Sequence, residues 1–280
     1  MEKRAVIAVG LSIAVFYLFS MLFGPEKKLE PIPQKGTSAA VGTVSKDQQT
    51  APSAPLQVPA NIQPPPSNIQ MKEITVETDL YTAVFSSRGA SLKSLTLNKY
   101  REEISESAKK VTLVSDSDPN TYSFATRATG INFPDNAVFM ADSESVKVDA
   151  GGSRQLTFNY ISGQGFTVRK VYTFTSGAYG IKLDTQLFNN SAAPLVGVIQ
   201  HVLTYPAEPK VKNNRFDTAG SYLFSDNTLQ ADKIKDVAGA SKRYDKTVQW
   251  FGFADKYFMN AILSDKNSIA SVEPFAELVT

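Results

Sequence analysis

The chain has 280 residues, with 29 Lys plus Arg against 27 Asp plus Glu, one histidine and no cysteine. Missing thiols exclude disulfides, thiolate catalysis and Cys-ligated zinc or iron–sulfur sites, and the near-balance of interspersed charge argues against nucleic acid as a partner. An apolar core must hold the fold instead, and 17 Phe and 11 Tyr can supply one.

Residues 1–4 form a short tail carrying Lys3 and Arg4. From Ala5 to Phe23 the sequence AVIAVGLSIAVFYLFSMLF has no charge and no proline. A helix of that length spans roughly 28 Å, close to the ~30 Å hydrocarbon core of a bilayer. The run is apolar all round, so it reads as a membrane-inserted segment, not a helix with one core-facing stripe. It is longer than a signal-peptide apolar region, and SMLFGPEKK offers no small-x-small cleavage site. An uncleaved signal anchor from Ala5 to Phe23 is the preferred reading. Lys27, Lys28 and Lys35 nearly balance Lys3 and Arg4, so charge alone leaves the orientation open.

Residues 24–71 read as a linker. Eight of the fifteen prolines fall between Pro31 and Pro66, among Ser, Thr, Ala, Gln and Gly. Such a stretch cannot bury enough apolar area to offset its ordering entropy. As a coil it reaches roughly 35 Å. A spacer is the simpler reading, and a proline-rich docking ligand is the alternative.

From residue 72 to 280 the pattern becomes that of a β domain. EITVET, LYTAVFSS and ASLKSLTLNKY alternate with period two and are rich in β-branched and aromatic residues. SSRGAS (86–91) is a turn between two of these runs. Further strands are expected in KVTLVS (110–115), TYSFAT (121–126), SVKVDA (145–150) and RQLTFNYI (154–161). GFTVRKVYTFTS (165–176) and YGIKLDTQLFNNS (179–191) carry the clearest hairpin signature, and LVGVIQHVLTY (195–205) follows. Short strands between regular turn signals predict an all-β sandwich or related two-sheet fold. Residues 206–246 are more polar. SYLFS (221–225) reads as a short strand, and LQADKIKDVAGASKRYDK as a surface excursion.

VQWFGFADKYFMNAIL is the densest apolar cluster outside the first run. Trp250, Phe253, Ala254, Tyr257, Phe258, Ala261 and Ile262 would share one face of a helix. Gly252 weakens that helix. The favoured alternative is a strand through Trp250 and Phe251, a turn at Asp255–Phe258, and a strand through Ile262. Trp250, Phe251, Phe253, Tyr257 and Phe258 form the candidate aromatic packing or interface cluster. Trp250 and Phe258 are expected in the core, with Phe251 or Phe253 partly exposed. The competing reading places part of this face at a membrane interface, where Trp and Tyr concentrate. SIASVEP is a last strand-like run.

Catalytic parts are missing. His201 is the sole histidine, set in an apolar strand pattern, and reads as structural. No Gly-rich phosphate loop and no Gly-x-Ser-x-Gly elbow occurs. Asp116, Asp118, Asp135 and Asp142 lie in turn-like stretches without the spacing of a calcium loop. No enzyme, metal or cofactor is expected.

TDLYTAVFSSRGASLKSLTL (78–97), KVYTFTSGAYGIKLDTQLFNNS (170–191) and QWFGFADKYFMNAIL (249–263), behind the anchor and linker, resemble the amino-terminal half of YidC-type membrane protein insertases of Gram-negative bacteria. The resemblance covers nearly the whole chain in the same order. It implies a cytoplasmic start, one inner-membrane crossing, and a periplasmic domain with a galactose-mutarotase-like β-supersandwich. It also implies a protein that inserts and folds membrane proteins, alone or with the Sec translocon. The partners implied are nascent membrane proteins, translocon components and the lipid bilayer. In that family insertion is carried by a later module of five transmembrane helices. No second hydrophobic span precedes Thr280, so no insertase residue can be carried over. The implied fold suggests an alternative, an anchored periplasmic carbohydrate-binding domain, for which His201 is the sole candidate acid or base. A linker bridging two membranes is a third reading, for which a ~35 Å coil is short.

Overall fold

A computed structural model describes residues 70–115, 122–205, 219–238, 241–245, 247–265 and 269–276, all within one compact unit, Val58–Thr280. The expected anchor, with its ends at Ala5 and Phe23, and nearly all of the expected linker lie outside the described residues. Among the described residues no helix is long and apolar enough to cross a membrane.

The first four strands are β1 (Glu73–Glu77), β2 (Tyr81–Ser86), β3 (Ser91–Arg101) and β4 (Lys110–Val114). They form an antiparallel meander. With β5 (Thr126–Thr129), β6 (Met140–Ala141) and β7 (Ser145–Lys147) next in the chain, β7 joins the far edge parallel to β1. The resulting five-stranded order is β4-β3-β2-β1-β7. Alternation selects the buried face: Ile74 and Val76 of β1, and Tyr81, Ala83 and Phe85 of β2, are fully buried.

The second sheet is built from β8 (Ser153–Ile161), β9 (Phe166–Thr175) and β10 (Ile181–Asn189), with β6 at its edge, in the order β10-β9-β8-β6. The expected hairpin is present, with Val168 opposite Leu187, Tyr172 opposite Leu183, and Phe174 opposite Ile181. Phe166, Val168, Tyr172 and Phe174 are buried, and the odd-register Val171 lies on the other face, half-buried.

The two sheets pack face to face through aromatic side chains. Phe85 of the first sheet meets Tyr172 at 4.7 Å and Phe174 at 5.6 Å between ring centroids, and Phe158 meets Tyr172 edge-on at 6.0 Å. Tilted and edge-on contacts suit the ring quadrupoles. A small antiparallel pair, β5 with β11 (Val198–His201), stands beside this core.

A third sheet holds the carboxyl-terminal strands β12 (Gly220–Ser225), β13 (Thr228–Lys233), β14 (Val248–Ala254) and β15 (Met259–Leu263), in the order β13-β12-β14-β15. The strand expected over TYSFAT instead begins at Thr126 and runs on to Thr129. Left-handed Phe124 (φ 62°) interrupts the run, and Ser123 before it makes only an isolated bridge with Leu92. The expected surface excursion is also corrected. Its first residues form β13, followed by a helical turn at Ile234–Val237 in which Val237 is buried. SIASVEP contributes isolated bridges, Ile269 with Val248 and Val272 with Tyr244. These cap a second, smaller core of Leu223, Val248 and Val272.

Candidate functional site

The aromatic cluster folds as a hairpin, not as a helix. β14 and β15 are joined by a turn whose anchor is Asp255. Its carboxylate accepts the backbone N–H of Tyr257 at 2.7 Å and of Phe258 at 2.8 Å, and its backbone N–H donates to the Phe258 carbonyl at 2.9 Å. The same side chain accepts from the Tyr205 hydroxyl at 3.1 Å. Asp side chains close turns in this way because they mimic a backbone acceptor. Gly252 belongs to the strand for a steric reason: a Cβ there would lie 2.1 Å from the Asn260 carbonyl oxygen.

Register divides the cluster between two faces. Leu223 opposite Phe251, and Ser225 opposite Val248, look into the small core. Phe253 shares that side and stacks on Tyr205, with centroids 5.7 Å apart. Asn260 on the same side donates to the Leu113 carbonyl at 3.0 Å, which fastens the third sheet to β4. Phe258 packs on the large core and meets Tyr100 edge-on at 5.7 Å.

Among the described residues neither core cluster covers the opposite face, which is exposed along its edge strands and half-buried across its middle. Leu229, Phe224, Trp250 and Leu263 are successive cross-strand partners, so they form one apolar row across all four strands. Phe224 and Trp250 stack with an interplanar angle of 12°. The next rows on this face add Ala231, Tyr222, Gly252 and Ala261, then Lys233, Gly220, Ala254 and Met259. At the edges of the sheet Leu229 is 57 % exposed, Leu263 72 % and Met259 47 %. Trp250, expected in the core, is half-buried on this open face. The bulge between Phe224 and Ser225 is the reason: it lets Val248 and Phe251 both reach the core and turns Trp250 away. Tyr257, at the hairpin tip, is 75 % exposed, with the Lys256 ammonium 4.9 Å from its ring centroid. Phe258 and Phe251 are partly buried, and Phe253 is half-buried.

Phe224, Leu229, Met259 and Leu263 complete this face and do not stand out in the sequence. The overlooked signal is Asp226–Asn227. Both residues are left-handed, at φ 49° and 58°, and they make the two-residue turn that pairs β12 with β13.

Two other sequence motifs meet inside the molecule. The turn in SSRGAS is left-handed at Gly89 (φ 66°) and Ala90 (φ 46°). Lys170, on the core-facing side of β9, is fully buried and spends its ammonium on the turn. It donates to the carbonyls of Ala90 at 2.8 Å, Gly89 at 3.3 Å and Phe124 at 2.5 Å. The Tyr172 hydroxyl donates to the same Ala90 carbonyl at 2.7 Å. Burial holds the Lys170 amine well below its ordinary pKa and the Tyr172 phenol well above its own. His201 ends β11. Its Nε2 lies 3.3 Å from the Thr185 hydroxyl and its shielded Nδ1 has no partner. Burial, then the charge of Lys170, pushes its pKa down to about 3. A neutral imidazole facing a hydroxyl has no acid–base pair to work with. Among the described residues no cluster suits a metal ion.

The profile of the YidC periplasmic domain matches residues 73–274, which is nearly the full described β structure. The chain belongs to the YidC membrane protein insertase family. It is 56 % identical over 98 % of its length to a membrane protein insertase YidC of Pelobacter propionicus. It is 45 % identical over 97 % to that of Geobacter metallireducens, and 38 % over 97 % to that of Geotalea uraniireducens. In each case the chain spans about half the length of the relative, 50 %, and matches its amino-terminal half. The family is named for insertion of membrane proteins, not for an enzymatic reaction.

Proposed function

We infer that this chain is the anchored, periplasmic half of a membrane protein insertase. Residues 1–4 lie in the cytoplasm, 5–23 span the inner membrane, 24–71 are the spacer, and 72–280 are the periplasmic domain. The whole protein inserts and folds integral membrane proteins, alone or beside the Sec translocon. This half serves as scaffold and docking module for nascent membrane proteins and translocon components, against the bilayer. The two packed sheets with the adjoining third sheet are read as the β-supersandwich implied by the resemblance.

One observation carries this reading: the periplasmic-domain profile begins at residue 73, where β1 begins, behind a charge-free run of bilayer length. Its scaffold part is tested by complementation. A full-length relative lacking the segment equivalent to 72–240 is expected to retain insertion of client proteins at reduced efficiency. Complete loss of insertion would overturn the accessory role and make the domain part of the insertion machinery itself.

A further inference from the structure

We propose that the open face of the third sheet lies on the lipid surface, with Trp250, in the row nearest the turn between β12 and β13, in contact with the membrane interface. The inference rests on the anchored reading above, because that reading keeps a bilayer within reach of the domain.

The face has the composition of an interfacial surface. Its residues are Leu229, Ala231 and Lys233 of β13, Gly220, Tyr222 and Phe224 of β12, Trp250, Gly252 and Ala254 of β14, and Met259, Ala261 and Leu263 of β15. None is acidic, and the single charge is Lys233 at one corner. At the same end of the sheet, on the side away from Lys233, the hairpin tip presents Lys256 over the exposed Tyr257 ring. Asp226 and Asp265 sit in the turns that flank the Trp250 row. Trp and Tyr rings settle at the boundary between headgroups and acyl chains, and lysine stems reach past them toward anionic headgroups. A face four strands wide, at ~4.8 Å per strand, is broad and flat enough to rest on a bilayer rather than fill a cleft.

The chain outside the described residues also favours a lipid occupant. A run of bilayer length begins at Ala5, and the spacer that follows reaches roughly 35 Å. A weakly lipid-binding face held on such a tether meets the membrane at high effective concentration, so modest affinity suffices.

The chain provides its own probe, since Trp250 is its only tryptophan. The full chain is reconstituted into phosphatidylethanolamine–phosphatidylglycerol vesicles, with and without lipid brominated near the headgroup end of its acyl chains in both leaflets. Flotation reports membrane association, and the ratio of tryptophan intensities reports contact at position 250. The expected result is flotation with a loss of intensity in brominated vesicles. Leu229→Asp and Leu263→Asp alter exposed edge positions, so the fold is kept, and each is expected to abolish the loss while flotation persists. Flotation without quenching in the native chain overturns the lipid contact and leaves the anchored reading standing. Failure to float overturns both. Quenching that survives both substitutions, or a tryptophan shielded by self-association at rising protein density, also overturns it.

Discussion

Lys170 occupies a position where the strand pattern calls for an apolar side chain. Phe166, Val168, Tyr172 and Phe174 share its face of β9 and all are buried. The reason for a cation is the left-handed turn opposite. Gly89, Ala90 and Phe124 point carbonyls at the fully buried Lys170, and its one amino group answers all three. Lys170→Ala should therefore destabilise the domain by roughly 3–5 kcal/mol in urea melts, because it orphans acceptors as well as leaving a cavity. The pH response has a definite sign. The folded-state pKa of Lys170 is lowered, so the unfolded chain binds more protons between that value and ~10.4, and stability rises with pH through this window. The phenols of Tyr81, pushed up to about 12, and Tyr172 oppose the trend only above ~pH 10. Midpoints of the native chain should rise as the pH approaches ~10 from below, and Lys170→Met should flatten that rise. Parallel slopes in the two proteins would show that the amine is not the cause. His201 acts at the other end. Its pKa of about 3 in the folded state lies below the unfolded value of 6.5, so its contribution is lost as pH falls through that interval. The loss amounts to roughly 4 kcal/mol by pH 3, and His201→Gln should remove most of it. An acid titration of the melting midpoint, native against variant, measures the difference.

At the scale of the element, the β14–β15 hairpin shows what sequence periodicity can and cannot reveal. The spacing of Trp250, Phe253, Tyr257 and Phe258 fits a helical face, yet the residues that decide are Gly252 and Asp255. Gly252 permits a strand approach that a Cβ would block, and Asp255 closes the turn. Gly252→Val is expected to force β14 and β15 apart and cost more than about 2 kcal/mol, visible as a lower midpoint and a shift in the emission of Trp250. Trp250→Ala should cost only about 1–2 kcal/mol, since a half-buried ring gives up part of a full burial term. A loss as large as that of a core aromatic, ~3–5 kcal/mol, would return Trp250 to the interior. The strands of the two packed sheets were legible because each alternates cleanly and is bounded by turn residues. The row that includes Trp250 was not, for two reasons. One strand of it, Thr228–Lys233, hides its alternation among charges, and a bulge shifts another by one residue. The Lys170 clamp was equally hidden, because its acceptors are backbone carbonyls that carry no sequence signature.

The whole domain has two cores of unequal strength. The larger is enclosed between two sheets and locked by the rings of Phe85, Phe158, Tyr172 and Phe174. The smaller rests, among the described residues, on Leu223, Val248 and Val272, with Tyr244, Phe251 and Ile269 packed around them. Its polar support is the buried Asp232, which accepts from the Tyr244 hydroxyl and from Lys242. Burial, then the bond to Asp232, pushes the Tyr244 pKa up to about 12. Among the described residues this sheet is tied to the larger body by Asn260 on the Leu113 carbonyl, by Phe258 on the large core, and by Tyr205, which stacks on Phe253 and donates to Asp255. Regions with few buried apolar contacts open first, at free energies below the global value. Native-state hydrogen exchange should therefore show the amides of β12 to β15 exchanging through a sub-global opening, and those of β2, β8 and β9 only on complete unfolding. Leu223→Ala should lower the partial and the complete opening free energies alike, by about 2–4 kcal/mol, because the small core is lost in both. Phe85→Ala, in contrast, should lower the protection of β2, β8 and β9 by about 3–5 kcal/mol and leave that of β12 to β15 unchanged, because the large core stays folded in the partial opening. Equal losses in both sheets from Phe85→Ala would mean that the two cores unfold as one, and that the ties between them are strong enough to make the third sheet as rigid as the body that carries it.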